Sequence, residues 1–416
     1  MASATTRHPT IRVGPPRSVS NNWTVSATLV GAAVGCAITL WWYPEGDSRL
    51  SALLIMACIF VPVSLVEMFV NEAPENSGLE FRWRKVAYGR VARKMAALWA
   101  IYAVLAAAYA MLPLYAGKSY ESFQWLLGNF GWLLVIVSLP YVTVVDTFQT
   151  NPEDGLASWG RILFSFSLKP TARDVNYLLG WVVKGFFLPL MFGFLVGNLE
   201  NLRAASFSDY TFLPAYLYEV AYNALYFVDV AVGALGYAAT LRLLGTEIRS
   251  TEPTMLGWVV ALICYPPFWD AVGDSYFSYG HARPWGGLLG DHPVIYTIWG
   301  TAIVFALFVY AWSTIVFGIR FSNLTHRGII TSGPYRWTKH PAYISKNISW
   351  WLISIPFLPP DGSVLTALKL SVMLGLVNLI YYLRAVTEER HLMQDPVYRE
   401  YSEYIRQHGL FSFLRK

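Results

Sequence analysis

The chain has 416 residues, of which 55% are hydrophobic, 16% aromatic and only 14% charged, with a formal net charge of +5 and a mean hydropathy of +0.40. Soluble domains carry about 25% charged residues, so this chain has too few to cover an aqueous surface. A soluble enzyme, a disordered tail and a disulfide scaffold are excluded, which leaves an all-α polytopic integral membrane protein.

The first 22 residues are polar, contain Arg7, Arg12, Arg17 and several prolines, and read as a short flexible cytoplasmic tail. The apolar stretch behind them is too long for a signal-peptide core and has no convincing cleavage site. A bilayer core about 30 Å thick takes about 20 apolar residues per helix. Runs of that order lie near 23–43, 50–71, 95–117, 125–148, 177–199, 214–241, 254–272, 294–318, 342–358 and 364–386, the ninth being short. Lys and Arg concentrate in cytoplasmic loops. With the N-terminus inside, 25 of the 31 basic residues fall on that side, 5 on the other, and Lys184 within the fifth span. About ten helices with both termini cytoplasmic satisfy this alternation. The chain divides into a tail (1–22), an N-terminal region of about seven helices (23–290) and a C-terminal region of three helices plus a cytoplasmic segment (291–416). No internal repeat points to a transporter built of two related halves. The Phe-Leu-Arg-Lys ending carries no prenylation signal. The location is the inner membrane for a bacterial protein and the endoplasmic reticulum for a eukaryotic one.

Ionisable residues at membrane depth are candidates for function. Glu67 and Lys184 lie at similar depths from the cytoplasmic ends of spans two and five, so they either pair or the lysine snorkels to the interface. Asp229, in mid-span six, and Glu219, nearer the outside, either line a polar cavity or are held by structural hydrogen bonds. Asp146, near the end of span four, is expected at the interface. The outer loop at 270–293 contains Asp270, Asp274, His281, Asp291 and His292, but their spacing matches no ligand pattern. Cys36, Cys58 and Cys264 sit inside apolar runs. Neither a metal site nor a disulfide framework is expected.

The stretches 319–346 and 384–416 differ from the rest. Ser332-Gly333-Pro334 is a turn signal. Pro341 suits the first position of a helix, where its missing N–H is harmless, so His340 should stand at the membrane face. Arg384 and Glu388 are four apart on one helical face. A tight hairpin of spans nine and ten brings His340 and Tyr343 level with Arg384, Glu388 and Glu389. Such a pocket suits a ligand with anionic, cationic and aromatic parts, and S-adenosylmethionine has all three.

The order Gly333-Pro334-Tyr335-Arg336, Lys339-His340-Pro341-Ala342-Tyr343, a hairpin, Arg384, Glu388-Glu389 and Tyr401-Ser-Glu-Tyr404 resembles the isoprenylcysteine carboxyl methyltransferase family. It is similar as well to membrane methyltransferases of phospholipid amines. Lys339 stands where the family usually has Arg, and Ile344 where it has a small residue. The resemblance covers roughly residues 290–416. It implies an S-adenosyl-L-methionine-dependent methyltransferase facing the cytosol, with Arg384 and Glu388 catalytic. Gly333, Tyr335, His340, Pro341, Tyr343, Glu388 and Glu389 would bind the cofactor. The acceptor would be a lipidic or hydrophobic carboxylate, amine or thiol arriving through the bilayer, with membrane lipids as surroundings and no nucleic acid or metal involved. Two other readings compete. An NADPH-dependent membrane sterol or steroid reductase shares a distant Arg-His-x-x-Tyr patch, but clustered carboxylates are poor company for a nicotinamide phosphate. A transporter or receptor would line several central spans with polar residues.

Overall fold

Lipid offers no partner to backbone N–H and C=O groups, so apolar runs of this length satisfy them internally as helices. The computed structural model describes residues 14–82, 84–165, 169–210, 212–276, 285–359 and 361–415. Among the described residues, eight helices are long and apolar enough to cross a membrane. They are α1 (Asn22–Ala37, continued to Trp42 by a wider turn), α2 (Ser48–Phe69), α3 (Tyr88–Met111), α4 (Lys118–Phe148), α5 (Ala172–Ala204) and α6 (Leu213–Ala238). The other two are α9 (Pro293–Ile315) and α11 (Val364–Leu392), which follow the shorter α7 (Met255–Leu262), α8 (Phe268–Tyr276) and α10 (Pro341–Ser354). A last helix, α12 (Pro396–His408), is amphipathic and packs under the C-terminal region.

Two expected spans therefore take another form. The seventh is α7 and α8, because Pro266 and Pro267 offer no N–H and interrupt the helical ladder. The ninth is α10, whose 14 residues reach only about 21 Å and fall short of a full bilayer core.

Helices α1 and α2 meet through a small-residue seam. A side chain at Gly31 would collide with the Cys58 carbonyl, and one at Gly35 would lie 2.9 Å from Ile55 Cα, so only glycine allows this approach. The core runs along α5 and α6, where Phe187, Leu190, Leu195, Leu199, Phe227 and Tyr237 are fully buried.

The charges at depth pair differently from expectation. Glu67 does not meet Lys184. Its Oε1 lies 2.6 Å from Arg320 Nη1, and its Oε2 accepts from Asn71 at 3.0 Å. Lys184 instead sets its ammonium 3.1 Å from the centre of the Trp181 ring. Depth fixes only one coordinate, and the two residues face different neighbours around their helix axes. Asp146 is buried rather than interfacial, between Arg90 (2.8 Å) and Lys94 (3.0 Å). Asp229 accepts from Tyr310 at 2.8 Å and Glu219 from Asn223 at 2.8 Å. In the outer loop, His281 lies outside the described residues. Removing one partner of a buried ion pair costs about 3–5 kcal/mol. Glu67→Ala, which strands Arg320, should lower the thermal unfolding midpoint sharply in detergent. An unchanged midpoint would count against the pair.

Long-range contacts bind the N-terminal helices to the C-terminal region. Strands β1 (Ser250–Thr251) and β2 (Thr325–His326) pair antiparallel, with Ser250 opposite His326. The tail segment 16–20 is docked: Thr331 Oγ1 donates to the Pro16 carbonyl (2.7 Å), and Val19 N donates to the Ile329 carbonyl (3.1 Å). Arg327, buried, donates to four carbonyls, those of Thr246 (2.7 Å), Gly236 (2.6 Å), Phe321 (3.1 Å) and Ala239 (3.2 Å).

His326 lies beside that clamp. Burial, with Arg249 nearby, pushes its imidazole down to about 4. The folded chain thus holds it neutral, while the unfolded chain binds a proton near pH 6.5. Its contribution is complete above about pH 6.5 and is lost progressively as pH falls toward 4. Unfolding midpoints measured across that window should fall less steeply in His326→Gln than in the wild type.

Candidate active site

The site begins at a turn. Gly333 takes φ +57, and a side chain there would lie 2.6 Å from Val316 Cγ1, so the position requires glycine on both counts. The turn sends Tyr335 inward, edge-on to Phe317 at 5.3 Å. Tyr401 of α12 locks it by donating to the carbonyls of Tyr335 (2.7 Å) and Thr338 (3.3 Å). Burial raises both phenols, with the Glu388 charge adding to it at Tyr335 and those of Glu389 and Glu388 at Tyr401. His340 then stands at the position just before α10, and Pro341 occupies its first turn, as the sequence predicts.

Helices α10 and α11 form the hairpin that brings the remaining residues together. Tyr343 donates to Glu388 Oε2 at 2.8 Å. His340 Nε2 meets Glu389 Oε1 at 2.9 Å, and Lys339 pairs with the other oxygen of Glu389. The His340 and Tyr343 rings lie parallel, 5.5 Å apart. Arg384 is buried and does not pair with Glu388, four residues on. Its Nη2 donates to Asn323 Oδ1 at 3.1 Å, and its guanidinium lies 5.0 Å from the Tyr381 ring and 5.2 Å from that of Tyr343.

Adjacent residues on a helix point about 100° apart. Glu388 and Glu389 accordingly face two compartments that share the wall made by Lys339, His340, Tyr343 and Tyr381. An inner cavity of about 140 Å³ holds Arg384 and Glu388, whose side chain is 42% exposed. The adjoining groove, about 540 Å³, holds Glu389 and is lined by Ile344, Tyr382, Val386 and Phe411.

Several residues at this site escaped sequence reasoning. His391, one turn beyond Glu388, meets Ser250 Oγ at 2.8 Å, and its i,i+3 spacing was a usable signal. Lys346, over the Tyr310 ring at 4.9 Å, follows Tyr343 by the same spacing. Asn323, Tyr265 and Glu252 also line the cavity, yet no local pattern ties them to the hairpin.

Residues 294–394 match the isoprenylcysteine carboxyl methyltransferase family. The matched stretch runs from α9 through α11, so it holds Gly333, Tyr335, His340, Pro341, Tyr343, Arg384, Glu388 and Glu389, but not Glu252, Tyr265 or Tyr401. This region is that of a membrane methyltransferase, set in an integral membrane protein. No curated protein and no solved structure matches the chain.

Proposed function

We propose that the protein is an S-adenosylmethionine-dependent methyltransferase acting on a lipidic or hydrophobic acceptor at the cytoplasmic face of its membrane. The observation that carries this reading is the convergence, within the matched region, of two carboxylates, a histidine, an arginine and aromatic rings around two joined compartments.

The donor set fits such a cofactor. Glu388, open to the cavity, offers carboxylate oxygens to ribose hydroxyls or to an ammonium. The faces of Tyr343 and Tyr381 suit a sulfonium cation. Arg384 and His340 suit a carboxylate. S-adenosylmethionine supplies a methyl group already activated for displacement, so the protein chiefly aligns donor and acceptor and keeps water out. Glu389, pinned by Lys339 and His340, stiffens the wall between the compartments. The apolar side chains of the groove give a lipidic acceptor a route to that wall. A carboxylate acceptor needs no base, whereas an amine would require a proton acceptor, for which Glu388 is placed.

Titration calorimetry of the purified protein tests the reading. S-adenosylhomocysteine should bind and NADPH should not, and the double variant Arg384→Ala, Glu388→Ala should lose the binding. Absence of binding in the wild type, or its survival in the double variant, would sink the proposal.

A further inference from the structure

We propose that Asn323 is a positioning residue for Arg384, anchored by the N-terminal helices so that the guanidinium faces the cavity without a carboxylate bonded to it. The inference builds on the reading of the site given above. Burying a cation is costly unless something compensates it, and the usual partner is a carboxylate. Here Arg384, 6% exposed, has an amide oxygen at 3.1 Å and three ring faces at 5.0, 5.2 and 5.9 Å. Neither nearby carboxylate pairs with it: Glu388 accepts from Tyr343, and Glu389 is tied to Lys339 and His340. A neutral amide can aim a guanidinium without cancelling its charge, which leaves that charge for a ligand.

Asn323 is itself held from outside the matched region. Its backbone N–H donates to the Tyr237 hydroxyl (2.8 Å), at the end of α6, and its Nδ2 to the Tyr265 hydroxyl (3.2 Å), between α7 and α8. The next residue, Leu324, takes φ 60, a left-handed conformation uncommon for any side chain but glycine's. Such strain persists only where surrounding contacts over-determine it. They do so here: the Leu324 carbonyl accepts from Glu252 N (2.8 Å), Arg320 is tied to Glu67, and Arg327 grips four carbonyls. The N-terminal helices thus supply the anchor from which an arginine of the matched region is aimed.

Asn323→Asp tests this, because it keeps the shape and the acceptor oxygen but gives Arg384 a counter-charge. The probes are dodecanoate and dodecanol, equal in chain length and different in charge, bound to the full chain in detergent at mildly alkaline pH. The wild type should favour dodecanoate by about tenfold, the value of one charge-assisted hydrogen bond. Asn323→Asp and Arg384→Gln should each abolish that preference, with the unfolding midpoint of Asn323→Asp no lower than the wild type's. Tyr265→Phe, which removes only the hydroxyl holding Nδ2, should reduce the preference about threefold. A wild type without preference, an Asn323→Asp protein that keeps it, or a loss matched by a fall in midpoint overturns the proposal. An unaffected Tyr265→Phe overturns the anchoring by the N-terminal helices. Failure of the cofactor reading is seen separately, as wild-type protein that does not bind S-adenosylhomocysteine.

Discussion

Glu388→Ala is expected to lower methyl transfer by at least about a hundredfold and to weaken S-adenosylhomocysteine binding in step. Its carboxylate opens to the cavity while one oxygen is fixed by the Tyr343 hydroxyl at 2.8 Å, so it is already oriented before a ligand arrives. Two charge-assisted hydrogen bonds to a ligand contribute about 1.5–3 kcal/mol each, and every 1.4 kcal/mol is about tenfold. Glu388→Gln keeps an oxygen for Tyr343 but loses the charge, and should retain roughly a tenth of the activity. Incorporation of labelled methyl into a membrane lipid extract, read beside calorimetry, measures both effects. Wild-type affinity in Glu388→Ala would mean that the cavity is not where the nucleoside sits.

The second large effect is structural. Arg327→Met should cost about 4 kcal/mol or more, enough to leave little folded protein. The guanidinium donates to the four carbonyls of Gly236, Ala239, Thr246 and Phe321, of which that of Ala239 also accepts from Thr246 Oγ1 and would keep a donor. Each buried acceptor stripped of its donor carries a desolvation penalty of about 1–3 kcal/mol. Lysine has three donors on one atom and cannot span the same four oxygens, so Arg327→Lys should recover only part of the loss. Thermal unfolding in detergent gives the ordering. Near-wild-type stability in Arg327→Met would show that water or a neighbouring side chain replaces the clamp.

The parts of the site legible in the sequence are those set by local spacing. The Arg384–Glu388 interval, the Pro341 helix start and the short link of the hairpin are properties of a few consecutive residues, and the helical geometry follows from them. The all-α membrane architecture is legible for a similar reason, since composition and apolar run length record the solvent in which the chain folds. What could not be read are pairings made around helix axes. Glu67 and Lys184 share a depth but not an azimuth, and the true partner, Arg320, sits in a loop 253 positions further on. Asn323 and Tyr265 are equally hidden, because nothing in either neighbourhood records that the link between α7 and α8 and the loop after α9 meet over Arg384. The break in the seventh span is written in Pro266-Pro267, but the length of an apolar run does not register it.

The docking of Pro16–Ser20 against Ile329–Ser332 bears on the order in which the protein assembles. Their partners lie 310 to 315 positions later. On a ribosome the N-terminal segment must therefore wait, unsatisfied, while the intervening helices enter the membrane. Only after residue 332 has emerged can the turn carrying Gly333 and Tyr335 be braced from that side. Segments made at opposite times close over the same turn, so a nascent chain stalled before residue 332 emerges would hold inserted helices with its N-terminal segment still unpaired.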